Sequence, residues 1–245
     1  MAIEKALLLI ADIGGYTRFM RHHRFSLAHA QETVALLLEA VIDASGHFKL
    51  AKLEGDAAFF YVVGEDFPAF ARHVADIRRA FLSRREQLVV DRMCKCDGCM
   101  QADALTLKFV AHAGEVAFQR VKHLTELAGV DVILVHRMLK NDVPLAEYVL
   151  VTDAVHQKLD PALRDLTRGL EHEFEGIGRT ATHYLDLNDV ATALPAPVPP
   201  SLPRRLWHKL MMELRSLKYV LGLKQACQDF RNVEVVDDTR ALPPR

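Results

Sequence analysis

The chain has 245 residues, half of them hydrophobic, with 31 Lys and Arg against 32 Asp and Glu. That length fills one large domain with an appendage, and the near-neutral charge lacks the basic surplus of a general nucleic-acid binder, so no nucleic acid is expected as partner. No segment approaches the roughly 18 uninterrupted apolar residues of a membrane span, and the opening apolar run is too short for a signal-peptide core, which makes a cytoplasmic protein the expectation.

Residues 6–13 (ALLLIADI) read as a strand buried on both faces. Leu27, Ala30, Val34, Leu37, Leu38 and Val41 then recur at helical spacing, and Gly46 ends that helix. Two short strands at about 47–53 and 57–63 meet at the turn-forming pair Glu54-Gly55. A second helix from near Phe67 carries Phe70, Val74, Ile77 and Phe81 on one stripe. Residues 105–118 read as a strand with a turn at Ala113-Gly114. Strand–helix–strand–strand–helix–strand is the ferredoxin-like order, so the fold class is α+β with a βαββαβ core. Beyond it the pattern predicts a helix near 129–141, a strand at 147–152, a short helix to about 159 and a hairpin through 170–187.

The composition shifts after Asn188. The expected organisation is a first domain over 1–190, with a Cys-rich insert at about 92–102, and a stiff proline-rich linker over 191–203. The remainder, 204–245, reads as an amphipathic helix and a frayed tail. Trp207, Leu210, Leu214, Leu217 and Leu221 form the stripe of that helix, and Arg204, Arg205, Lys209, Arg215 and Lys218 surround it. Such a helix packs on its own domain or on a dimer mate, or lies against an anionic membrane surface or a partner protein.

Asp12-Ile13-Gly14-Gly15-Tyr16-Thr17 stands where the first strand ends, and Asp56 follows the Glu54-Gly55 turn. A strand–helix–strand–strand layout sets the first and third strands side by side, which brings Asp12 toward Asp56. Converging carboxylates can hold paired Mg²⁺ or Mn²⁺ ions about 3.5–4 Å apart for phosphoryl chemistry. Taken singly, Asp12 reads equally well as a helix cap and Asp56 as a turn residue.

DIGGYT, followed by Lys52-Leu53-Glu54-Gly55-Asp56, resembles the signature of class III adenylyl and guanylyl cyclases. His112-Ala113-Gly114-Glu115, Glu126-Leu127-Ala128-Gly129 with Val132 and Arg137, and Phe174-Glu175-Gly176-Ile177-Gly178 ending in Tyr184 resemble later blocks of the same superfamily. The likeness covers about residues 5–188 and is that of a divergent bacterial branch (DUF2652-like).

The resemblance implies a class III cyclase fold with an extra C-terminal hairpin and an appended helix. It implies Asp12 and Asp56, with the Ile13 backbone, as the Mg²⁺ or Mn²⁺ set. Gly14, Gly15 and Tyr16 would lie near a triphosphate, and Lys52 and Glu126 would read the purine, with lysine favouring an ATP-type base. Arg137 would stabilise charge on the α-phosphate. Two positions depart from the pattern. Ile133 stands where the catalytic Asn belongs and Glu175 where a phosphate-binding Lys belongs, leaving Arg179 as a nearby substitute cation. Losing one such donor costs on the order of 10²–10³ in rate. The implied protein is a homodimer that binds a purine nucleoside triphosphate with weak or no cyclisation to cyclic nucleotide and pyrophosphate. The alternatives are a catalytically silent dimerisation or regulatory module, and a metal sensor built on the same scaffold. For the sensor, Cys94, Cys96 and Cys99 supply three thiolates of a Zn²⁺ knuckle or stand as a reduced trio.

Overall fold

In a computed structural model the described residues are 3–22, 27–64, 70–92, 100–122, 124–189, 201–221 and 223. Cys94, Cys96, Cys99 and most of the proline-rich linker lie outside them.

The first strand, β1 (Ile3–Gly14), is buried along most of its length because its two faces serve two cores. Leu7, Leu9, Ala11 and Ile13 enter one cluster, and Ala6, Leu8 and Ile10 enter the other. Beside it run β2 (Lys49–Glu54), β3 (Ala57–Val63) and β4 (Thr106–Val121). The strands β5 (Leu124–Ala128), β6 (Tyr148–Thr152), β7 (Arg168–Phe174) and β8 (Gly178–Asp186) complete one sheet. Its order is β2-β3-β1-β4-β6-β8-β7, with β5 paired off β4. The segment β2-β3-β1-β4 is the ferredoxin-like arrangement expected from the element order. The strand β6 then joins β4 in parallel and leads into the β7–β8 hairpin.

Helices α1 (Tyr16–His22), α2 (Leu27–Asp43) and α3 (Phe70–Asp91) follow in the first half. Their apolar residues Phe19, Val34, Leu37, Val41, Val74, Ile77 and Phe81 fill the first cluster. The opposite face is covered by α4 (Val130–Arg137) through Val132, Leu134 and Val135. Two single-turn helices, α5 (Asp153–His156) and α6 (Pro161–Arg164), link β6 to β7.

Three expectations change. The strand β4 runs through Ala113-Gly114 without a turn, because Gly114 serves a side-chain contact. A Cβ there would lie 2.2 Å from the carboxylate of Asp131, and that carboxylate accepts the Glu115 amide at 2.6 Å. The glycine lets the first turn of α4 sit directly on β4. The helix expected to reach residue 141 ends at Arg137, where Asn141 caps the departing chain by donating to the Met138 carbonyl at 2.6 Å. Lastly, α7 (Leu202–Val220) does not bury its apolar stripe on its own domain. It docks by its polar side, Arg204 Nε lying 2.9 Å from buried Asp91 and Arg205 donating to the Arg92 carbonyl at 2.9 Å. Trp207 and Leu214 remain 64% and 53% exposed.

Candidate nucleotide site

The register places Asp12 opposite Ala57 on β3 and opposite Lys108 on β4. Asp56, one residue before Ala57, accepts the Ile13 amide on its backbone carbonyl at 3.1 Å. The two expected carboxylates therefore stand at adjoining strand ends. Burial, then the neighbouring Asp12, pushes the Asp56 carboxyl from 3.8 up to about 6.

A residue absent from the sequence reading completes the group. Lys108 lies on the same sheet face as Asp12 and Tyr148, and its Nζ is 3.0 Å from Asp12 Oδ2. Both side chains are largely buried, with 24% and 14% exposed. Burial works against the ammonium, but Asp12, Tyr148 and Asp56 outweigh it and hold Lys108 above its ordinary range. At neutral pH the site thus contains a fixed monovalent cation. Tyr148, raised by its own burial, keeps its hydroxyl on Asn141 Oδ1 at 3.0 Å. The sequence signal for Lys108 was a lysine inside an apolar strand, at the same alternation phase as Val110.

Divalent cations are what a cyclase fold implies here, and hard carboxylate oxygens at strand ends suit them. The charge fits them only when Lys108 has withdrawn from Asp12. Asp12 and Asp56 would then hold the ion, which supplies Lewis-acid polarisation of a phosphoryl oxygen.

The remaining expected residues fall into two groups. Lys52 on β2 is 3.7 Å from Glu54, which reaches His136 Nε2 at 3.2 Å. The other nitrogen of His136 donates to the Val132 carbonyl at 2.7 Å, and its ring packs edge-on against Phe59. Lys52, expected at the purine, is thus tied through Glu54 to α4. Arg137, the expected phosphate ligand, donates to Glu175 at 2.5 Å. Glu175 is held below its ordinary range by that hydrogen bond and by the guanidinium charge. The acid standing where a lysine was expected therefore occupies the arginine it should have assisted. Glu126 and Arg179 are exposed on β5 and β8, and Ile133 is 51% exposed on α4. The space left by Gly14 is taken by the Thr106 hydroxyl, 2.3 Å from where a Cβ would stand, whereas Gly15 adopts φ +83° at the strand end. Tyr16 packs against the core below α2.

His112 resolves as a structural residue. It is 7% exposed, with Nδ1 2.8 Å from Thr152 Oγ1 and Nε2 3.1 Å from Asp131 Oδ1. His112, Gly114 and Glu115 all serve to seat Asp131. Their motif builds the joint between β4 and α4.

The profile of the family described as "Protein of unknown function (DUF2652)" matches residues 34–148. The uncharacterized protein Rv2561/Rv2562 of Mycobacterium tuberculosis (strain ATCC 25618 / H37Rv) is 50% identical over 206 residues, covering 82% of this chain and 94% of that protein. The chain belongs to the DUF2652 family. The fold of this chain is that of the class III nucleotide cyclases. The guanylyl cyclase Cya2 superposes with a TM-score of 0.60 at 10% identity, over 82% of this chain and 98% of that one. A class III adenylyl cyclase-like ATP-binding protein from Pseudomonas aeruginosa gives 0.55 at 16% identity, over 67% of this chain and 36% of that one. Within the described residues of this DUF2652 chain no helix is long and apolar enough to cross a membrane.

Proposed function

We propose that this DUF2652 chain is a nucleotide-binding module on a cyclase fold, which pairs with a second copy, takes a purine nucleoside triphosphate of the ATP type, and closes it to cyclic nucleotide slowly or not at all. The observation that carries this reading is the Lys108–Asp12 ion pair at 3.0 Å, next to an Asp56 that half-retains its proton near pH 6. A cyclase site needs carboxylates free to take divalent ions. Here one carboxylate is already neutralised by an ammonium and the second resists ionisation. The Arg137–Glu175 pair supports the same conclusion, since the phosphate-facing fork is engaged within the chain. That a cyclase-like protein of this fold binds ATP is known from the Pseudomonas neighbour. Exposed Val130 and Ile133 on α4 give the second copy an apolar surface. The outward stripe of α7 offers a further contact to a membrane surface or a partner protein.

The test combines binding with turnover. ATP and Mn²⁺ should raise the unfolding temperature of the wild-type chain while cyclic product stays at background. Lys108→Met should tighten Mn²⁺ binding by roughly fivefold or more, because removing a unit charge at contact distance is worth at least about 1 kcal/mol. Brisk cyclisation by the wild type, or an Mn²⁺ affinity indifferent to Lys108, refutes the proposal. Absence of any nucleotide response selects instead the purely dimerising module.

A further inference from the structure

Asp153, His156 and His183 each present one ligand atom, and the three atoms lie within 4.8 Å of one another. The grouping is built by ordinary local structure. Asp153 and His156 sit three residues apart on α5, hence on one side of its single turn. His183 reaches them from β8, paired opposite Val151 at the end of β6. Val151 belongs to the cluster beneath α2 and α3, whereas Asp12 and Lys108 face the other side of the sheet. β6 carries Tyr148 at one end and leads into Asp153 at the other. The cluster is therefore at the opposite face and the opposite end of the sheet from the nucleotide site.

We infer that Asp153, His156 and His183 form a binding site for one late first-row divalent cation of the Zn²⁺ class. Two imidazoles and a carboxylate suit such an ion better than Mg²⁺, which prefers oxygen. His156 is already held in a ligating tautomer. The Thr167 hydroxyl donates to the Arg164 carbonyl at 2.7 Å, so it can only accept from His156 Nε2–H at 2.9 Å. The lone pair of the neutral ring then lies on Nδ1. A histidine that gives its second N–H to a fixed oxygen is the usual outer arrangement of a metal ligand. His183 gives its Nε2–H to Asp153 Oδ1 at 2.6 Å, and the cation takes the place of that proton. The imidazoles stack face to face, centroids 3.6 Å and planes 5° apart, so the metal-free rings cover one another and one must turn out of the stack for both in-plane lone pairs to reach an ion.

The dimensions allow closure. A tetrahedral ion with bonds of about 2.0–2.1 Å needs ligand atoms roughly 3.3 Å apart. The group within 4.8 Å reaches that spacing once the His183 ring turns out of the stack, His156 staying anchored on Thr167. Three protein ligands leave the fourth position to water or an anion. Arg164 lies near His156 and opposes the ion's charge, so affinity rests on bond formation with the imidazoles and not on a negative field. Once bound, the ion would clamp α5 to the β7–β8 hairpin, whose tip carries Glu175.

Metal-stripped, reduced full-length protein titrated with Co²⁺ and Zn²⁺ tests the site. One equivalent should bind without a thiolate-to-cobalt charge-transfer band, and it should survive both Asp56→Asn and Cys94→Ser. His156→Ala and His183→Gln should each weaken that equivalent by more than about 100-fold, and Thr167→Val by roughly 10–100-fold, the usual effect of losing an outer hydrogen bond. Unfolding curves of the metal-free variants verify that they fold; if His183→Gln does not, Thr167→Val, which keeps all three ligands, decides. Binding of no ion overturns the inference. So does an equivalent that carries the thiolate band and ignores the His156 and Thr167 substitutions.

Discussion

A single lysine changes what the two aspartates can do. Asp12 and Asp56 are the residue types a cation site needs, and they are neighbours. Lys108 converts the pair from an open dianion into a partly neutralised triad. Asp56 reports on this balance through pH. Its folded-state value of about 6 lies above the ordinary 3.8, so the folded chain binds the extra proton and metal-free stability falls as pH rises between those values. Above about pH 6 the whole cost of ionising the buried group is borne by the folded state. Asp56→Asn removes that cost. Its unfolding temperature should exceed wild type by on the order of 2–4 °C at pH 7, the shift that about 1 kcal/mol produces in a chain of this size, a figure lowered for the solvent screening of a half-exposed group. Below about pH 4 the two curves should coincide. A difference that is constant from pH 4 to 8 would show that Asp56 does not carry the raised value.

Among elements, the β4–β6 junction between the ferredoxin-like half and the added β6–β7–β8 portion is reinforced by Arg78 of α3. It is 6% exposed, donates to the Leu187 carbonyl at 2.5 Å and to Asn188 Oδ1 at 3.1 Å, and pairs with Glu147 at 2.8 Å just before β6. One guanidinium thus closes three orphan acceptors at the edge where helix, strand and chain exit meet. Arg78→Met leaves Glu147 charged and the Leu187 carbonyl unpaired, at a cost of about 3–5 kcal/mol. Chemical denaturation should show that loss, and the Arg78→Met/Glu147→Leu pair should recover a large part of it. A loss below 1 kcal/mol in the single variant would mean that water replaces the arginine freely. The same scale explains β4. A glycine in the middle of a sixteen-residue strand reads locally as a turn, yet it is there so that Asp131 can rest against the strand.

At the scale of the whole molecule the cyclase fold is kept while its charge pattern is changed. Ile133 presents an apolar side chain on the exposed side of α4, where the resemblance implies a polar one, and Glu175 at the hairpin tip holds Arg137. If these departures silence the site, reversing them together should restore part of what is lost. Ile133→Asn with Glu175→Lys should raise cyclic nucleotide formation at least about 10²-fold above the wild type with Mn²⁺, the effect of regaining electrostatic donors. If two copies share the site as proposed, specific activity should fall on dilution. An unchanged rate in the double variant would place the block at Lys108 instead.

The sequence by itself determined the order of elements, because buried strands and striped helices leave different apolar periods. It also determined that Asp12 and Asp56 meet, since a strand–helix–strand–strand order forces the first and third strands together. Their motif context, from DIGGYT to the hairpin at Phe174, was enough to indicate the cyclase-like fold. Only the tertiary structure decided what surrounds those residues. Lys108 meets Asp12 through the register of β1 with β4, Glu175 meets Arg137 through the curl of a distant hairpin, and His183 meets Asp153 and His156 across a sheet edge. Such contacts depend on register and on which face a side chain takes, and neither is written in the spacing of any one segment.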